Sequence, residues 1–69
     1  MDKITVSLND EPKQVTVGET VATLVESLQL KTAGLAVAVN TEVIPQREWA
    51  RKTLQANDSI LLITATQGG

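Results

Sequence analysis

The residues with the most chemical meaning are the last two, Gly68 and Gly69. At a glycine frequency of about 7%, such a terminal pair arises by chance in about 0.5% of sequences. Glycine has no Cβ, so two in a row make a thin thread that can enter a narrow channel and present its carboxylate. From Thr66 onward, four residues span at most about 13–14 Å. An α-carboxyl titrates near about pH 3.5, so at neutral pH it is ionised and a poor electrophile. Another enzyme would have to activate it, most simply as an acyl-adenylate from ATP. A sulfur or amine nucleophile could then displace AMP. On this reading the chain is a substrate and carrier, with Gln67, Gly68 and Gly69 entering a partner's active site and Gly69 as the modified residue. The competing reading is a loose end with no role.

The rest of the inventory fits a chain that is acted upon. There is no histidine and no cysteine, hence no side chain that titrates naturally near neutral pH and no thiolate nucleophile. The same absence removes the usual zinc ligands and any disulfide. Carboxylates, lysines and hydroxyls remain, but no pattern groups them into an acid–base pair, so catalysis by this chain alone is not expected. A net charge of −2 and a pI near 4.8 argue against nucleic acid, whose phosphates call for a basic face. With Trp49 the single aromatic residue, there is no base-stacking platform. The longest apolar stretch, Leu35 to Val39, is far too short to cross a bilayer. Met1-Asp2-Lys3 leads directly into an alternating segment without a signal-like apolar region. A cytoplasmic protein is expected, with no membrane partner and no bound cofactor.

These features need a small scaffold, and 69 residues allow one domain. Ile4, Val6 and Leu8 alternate with Thr5 and Ser7, the period of a strand with one buried face. Asn9-Asp10-Glu11-Pro12 reads as a turn, and Val15 and Val17 resume the alternation, giving a hairpin whose turn type stays open. Val21, Leu24, Val25 and Leu28 then form one stripe of an amphipathic helix. Thr20 is its expected N-cap. Thr23 occupies the position where a capping box wants Glu or Gln, so an incomplete box is expected. The helix is expected to end near Leu30 and Lys31, with Gly34 available for the exit turn. Leu35–Val39 reads as a central strand, Asn40-Thr41-Glu42 as a turn, and Val43-Ile44 as a short strand stopped by Pro45. Gln46 to Lys52 reads as one or two irregular helical turns. Ser59 to about Ala65 is the last strand. The expected class is α+β, one mixed sheet of about five strands with one helix packed across it.

The second half of the chain carries a resemblance. Ala36-Val37-Ala38-Val39-Asn40 is followed by Glu42-Val43-Ile44-Pro45, then Glu48-Trp49, Asn57-Asp58-Ser59-Ile60-Leu61-Leu62, and Gly68-Gly69. Together these blocks resemble ThiS, the sulfur-carrier family of thiamine biosynthesis, over nearly the whole chain. Thr41 stands where such proteins often have glycine, and Gln46 separates Pro45 from Arg47. The resemblance implies a ubiquitin-like β-grasp domain over residues 1–66 and a flexible tail over 67–69. It also implies a chemistry. A ThiF-like adenylyltransferase would activate Gly69 with ATP. Sulfur drawn ultimately from cysteine through a cysteine desulfurase would give a thiocarboxylate. Thiazole synthase (ThiG) would receive it.

Analogy with ubiquitin-like folds puts Ile60 and Leu62 in the core and leaves Leu61 and Ile63 on the open sheet face, an apolar docking patch beside the tail. Trp49 reads as packing rather than an interface anchor. The alternatives are the small subunit of molybdopterin synthase, a ubiquitin-like protein modifier joined to amines through Gly69, and an interaction module with an idle tail.

Overall fold

A computed structural model describes residues 2–64. Gln67, Gly68 and Gly69, and the domain boundary at residue 66, lie outside the described residues. The element order is β1 (Lys3–Leu8), β2 (Glu11–Thr16), α1 (Val21–Ser27), β3 (Leu35–Val39), β4 (Glu42–Ile44), a 3₁₀ turn (Gln46–Glu48) and β5 (Ser59–Thr64). The five strands form one sheet in the order β2-β1-β5-β3-β4. β5 lies at its centre, parallel to β1 and antiparallel to β3. This is the β-grasp arrangement, a mixed sheet with one helix across it.

Val6, Val15, Val37, Val39, Ile44 and Ile60 supply the covered face of the sheet. Val21, Leu24 and Val25 supply the helix stripe, and Leu54 and Trp49 close the core from the segment before β5. Leu28, the fourth residue of the stripe, is half-buried against it. Trp49 is packing, 4% exposed, and its indole Nε1 donates to the Ile44 carbonyl at 2.8 Å. That bond satisfies the one polar atom the ring carries into the core.

The helix departs from the sequence reading at both ends. The capping box is complete: the Thr23 amide donates to Thr20 Oγ1, and the Thr20 amide donates to Thr23 Oγ1 at 2.9 Å. A hydroxyl therefore does the work of the expected Glu or Gln carbonyl. The Val21 and Ala22 amides, orphans of the first turn, donate to the carbonyls of Lys52 and Trp49. At the other end the helix stops at Ser27, short of Leu30 and Lys31. Gln29 takes φ 58, its amide donates to Glu26 O, and the Leu30 amide donates to Val25 O. This is a Schellman closure with glutamine in the left-handed position usually held by glycine. Gly34, at φ 75, instead turns the chain into β3.

Both hairpins are tighter than the sequence suggested. Leu8 pairs with Glu11 and Val39 with Glu42, so each turn holds only two residues. Asn9 and Asp10 have φ 49 and 68, and Asn40 and Thr41 have φ 52 and 71. Two consecutive positive φ values define the type I′ turn, whose twist matches that of the flanking strands. Glu11, Pro12 and Glu42 consequently belong to strands. Pro12 is tolerated because β2 is an edge strand and Ser7↔Pro12 follows the closing pair, so its missing N–H costs the sheet no ladder bond.

Candidate functional site

β5 is the strand that leads toward Gly69, and its placement is fixed from both sides. Against β3 the register runs Val39↔Ile60, Ala38↔Leu61, Val37↔Leu62, Ala36↔Ile63 and Leu35↔Thr64. Against β1 the paired residues are only Ser7↔Ser59 and Leu8↔Ile60, because β1 turns away at Asn9.

Two turn asparagines complete what the ladders leave open. At the start of β5 the Ser59 amide donates to Asn40 Oδ1 at 2.9 Å, and the Asn40 amide donates to Ser59 O at 2.7 Å. Asn40 Nδ2 also donates to Asp58 Oδ1 at 2.9 Å, while the Gln55 amide donates to Asp58 Oδ2 at 2.8 Å. Asp58, only 8% exposed, thereby ties the β3–β4 turn to the approach to β5. Farther along β5, the Leu62 amide donates to Asn9 Oδ1 at 2.8 Å, and Asn9 Nδ2 lies 3.4 Å from the Leu62 carbonyl.

Alternation along β5 buries Ile60 and half-buries Leu62, leaving Leu61 44% and Ile63 51% exposed. Both expected patch residues are on the face away from the helix. The register places Ala38 between Leu61 and Val43, and Ala36 opposite Ile63. Val43 is 68% exposed and joins the patch, which sequence reasoning missed. Parity within a three-residue strand cannot be read alone, although Ile44 next to it, once assigned to the core, would have turned Val43 outward. The alanines keep the patch low, so Leu61, Ile63 and Val43 stand above it. On the β1–β2 half of the same face stand Thr5, Ser7, Gln14 and Thr16 by the same alternation. The open face is thus polar on one side and apolar on the side that carries the end of β5.

Two open grooves lie on the surface of the described residues. One, of about 270 Å³, is lined by Thr5, Ser7, Asp10 and Pro12, among others. The other, of about 470 Å³, lies between the end of α1 and Trp49 and includes Glu26 and Gln29. Each contains a single carboxylate, so neither groups an acid with a base. Among the described residues no cluster of carboxylates could hold a metal ion, and no helix is long and apolar enough to cross a membrane.

Comparison with known proteins agrees with this arrangement. The model of the ThiS family matches residues 6–69. The sulfur carrier protein ThiS of Escherichia coli (strain K12) is 39% identical over 61 residues, which cover 88% of this chain and 92% of that protein. The crystal structure of a thiamine biosynthesis protein (ThiS) from Geobacter metallireducens superposes with a TM-score of 0.83 at 20% identity, over 96% of this chain and 100% of that one. A designed protein based on the template of human erythrocytic ubiquitin gives a TM-score of 0.55 at 20% identity, over 100% of this chain and 98% of that one. At such identities the structural likeness speaks to the fold, which is ubiquitin-like. The family match and the identity to the Escherichia coli protein go further: the chain belongs to the ThiS family.

Proposed function

We propose that this chain is a sulfur carrier for thiazole formation in thiamine biosynthesis, with the Gly69 carboxylate as its working group. One observation carries the reading. The family match extends through residue 69 and so includes the Gly68-Gly69 pair, the part of the sequence with a chemical rationale of its own. In the first step a Gly69 carboxylate oxygen attacks the α-phosphorus of ATP on a ThiF-like adenylyltransferase, and pyrophosphate leaves. Sulfur leaves a cysteine desulfurase as a persulfide, a thiol releases it as sulfide and is itself oxidised to a disulfide, and the sulfide then attacks the acyl carbon. The bond to the AMP oxygen breaks, and Gly69 becomes a thiocarboxylate. Thiazole synthase (ThiG) passes the sulfur to its substrate, an oxygen atom takes its place on the acyl carbon, and the carrier returns to its carboxylate form.

Leu61 and Ile63 dock the body on the activating enzyme while Gln67, Gly68 and Gly69 reach its active site. The exposure of Leu61, Ile63 and Val43 supports that role, since contiguous apolar surface beside a reactive end favours partner binding. ATP is used by the partner, the carrier holds no cofactor, and the reaction belongs in the cytoplasm.

The test is ATP–pyrophosphate exchange catalysed by a ThiF-like enzyme with the chain as second substrate. Exchange that requires the chain and disappears when Gly69 is deleted supports the reading. Exchange that is indifferent to Gly69 overturns it.

A further inference from the structure

We infer that Asn9 is a positioning residue for partner docking: its side chain stands in for the missing end of β1 and holds the Leu62 main chain, and with it the exposed pair Leu61 and Ile63. The inference rests on the carrier reading and its docking patch.

The geometry follows from where β1 stops. Alternate residues of β5 direct their amide and carbonyl to opposite neighbours. Ser59 exchanges bonds with Asn40 on the β3 side, whereas Ile60 O accepts from the Asn9 amide on the β1 side. Leu62 is two residues beyond Ile60, so its amide and carbonyl also face β1. There the chain has already entered its turn, with Asn9 at φ 49, and no β1 main chain remains to meet them. The Asn9 carboxamide fills the place. It presents an oxygen at 2.8 Å to the Leu62 amide and a nitrogen at 3.4 Å to the Leu62 carbonyl, the same acceptor and donor that another strand residue would offer.

Leu61 and Ile63 flank the clamped residue, and their side chains leave the sheet on the exposed face. β3 holds this part of β5 along one edge only. Asn9 is the hold on the other edge, so it fixes how the two side chains stand relative to the sheet. Presenting an apolar pair in one geometry reduces the ordering needed on binding. Among the described residues, none of this is required by the core: Asn9 is exposed, and both bonds lie outside the buried cluster.

The experiment uses Asn9→Gly and Asn9→Asp in the full chain. Glycine accepts the positive φ of the turn, so Asn9→Gly removes the clamp while the hairpin keeps its shape. Amide exchange at Leu62 should quicken by about five- to tenfold, the effect of one net hydrogen bond. In pyrophosphate exchange with a ThiF-like enzyme, KM for the chain should rise by about three- to tenfold with kcat retained, since the tail is unchanged. Asn9→Asp keeps the acceptor for the Leu62 amide but sets an oxygen against the Leu62 carbonyl, and its KM should fall between the two. Combining Asn9→Gly with Ile63→Ala should raise KM less than the product of the single effects, because the clamp acts through the patch.

A KM for Asn9→Gly equal to wild type overturns the inference, as does a rise that multiplies independently with that of Ile63→Ala. An unaltered chain that supports no exchange at all overturns the carrier reading instead, and the docking role falls with it.

Discussion

At Thr41 the main chain is left-handed, φ 71, in a residue whose β-branched side chain is poorly suited to that region. The turn geometry demands it, because Val39↔Glu42 leaves only Asn40 and Thr41 to reverse the chain. Thr41→Gly should therefore raise stability by about 1 kcal/mol, after allowing for glycine's greater freedom when unfolded. In a domain of this size that corresponds to a Tm rise of about 4–8 °C, which thermal denaturation would read. Asp58 works in the opposite direction. Asp58→Ala would leave Asn40 Nδ2 and the Gln55 amide without their acceptor, a loss of about 1–3 kcal/mol measurable by urea unfolding. Thr41 was legible as a departure from the family pattern, but its strain depends on the two-residue turn, where the sequence reads as a three-residue turn that includes Glu42. Asn9 and Asn40 were legible only as turn formers. Nothing in a linear pattern tells that their carboxamides reach β5, because the partners Leu62 and Ser59 are 53 and 19 residues away.

Among the elements, α1 shows where local pattern reading succeeds and where it stops. The stripe of Val21, Leu24, Val25 and Leu28 and the cap at Thr20 could be read directly, because helical periodicity and a capping hydroxyl are both local signals. The helix end could not. Gln29 gives no positional signal, and Gly34 was the more obvious stop. What ends the helix is a Schellman closure that accepts glutamine at positive φ. The capping box was obscured in the same way, since Thr23 is not the residue that motif usually uses. Thr20→Ala removes the side-chain half of that box and should cost about 1 kcal/mol, seen as an earlier chemical-unfolding midpoint at unchanged slope. With only seven residues, α1 has little stability of its own and depends on its buried face and on the Lys52 and Trp49 carbonyls.

On the scale of the whole molecule, the open face divides into a polar half on β1–β2 and an apolar half on β5-β3-β4. The class, α+β with one sheet and one helix, was legible because strand and helix periods follow one another along the chain, whereas the β-grasp topology and the Leu61 and Ile63 assignment followed from the family resemblance. The breadth of the patch was not legible: Val43 joins it only through the register Ala38↔Val43 and Ala38↔Leu61. Leu61→Gln should keep the fold within about 1 kcal/mol, since the side chain is already partly in water. If the patch docks the activating enzyme, the same change should raise KM by about tenfold, the worth of part of a buried leucine. The measurement that tests the central claim most directly is the intact mass of the chain after incubation with a ThiF-like enzyme, ATP and a sulfide source. The account predicts a gain equal to replacing one oxygen by one sulfur, abolished when Gly69 is deleted. No gain, with an enzyme that converts its own carrier under the same conditions, would contradict it.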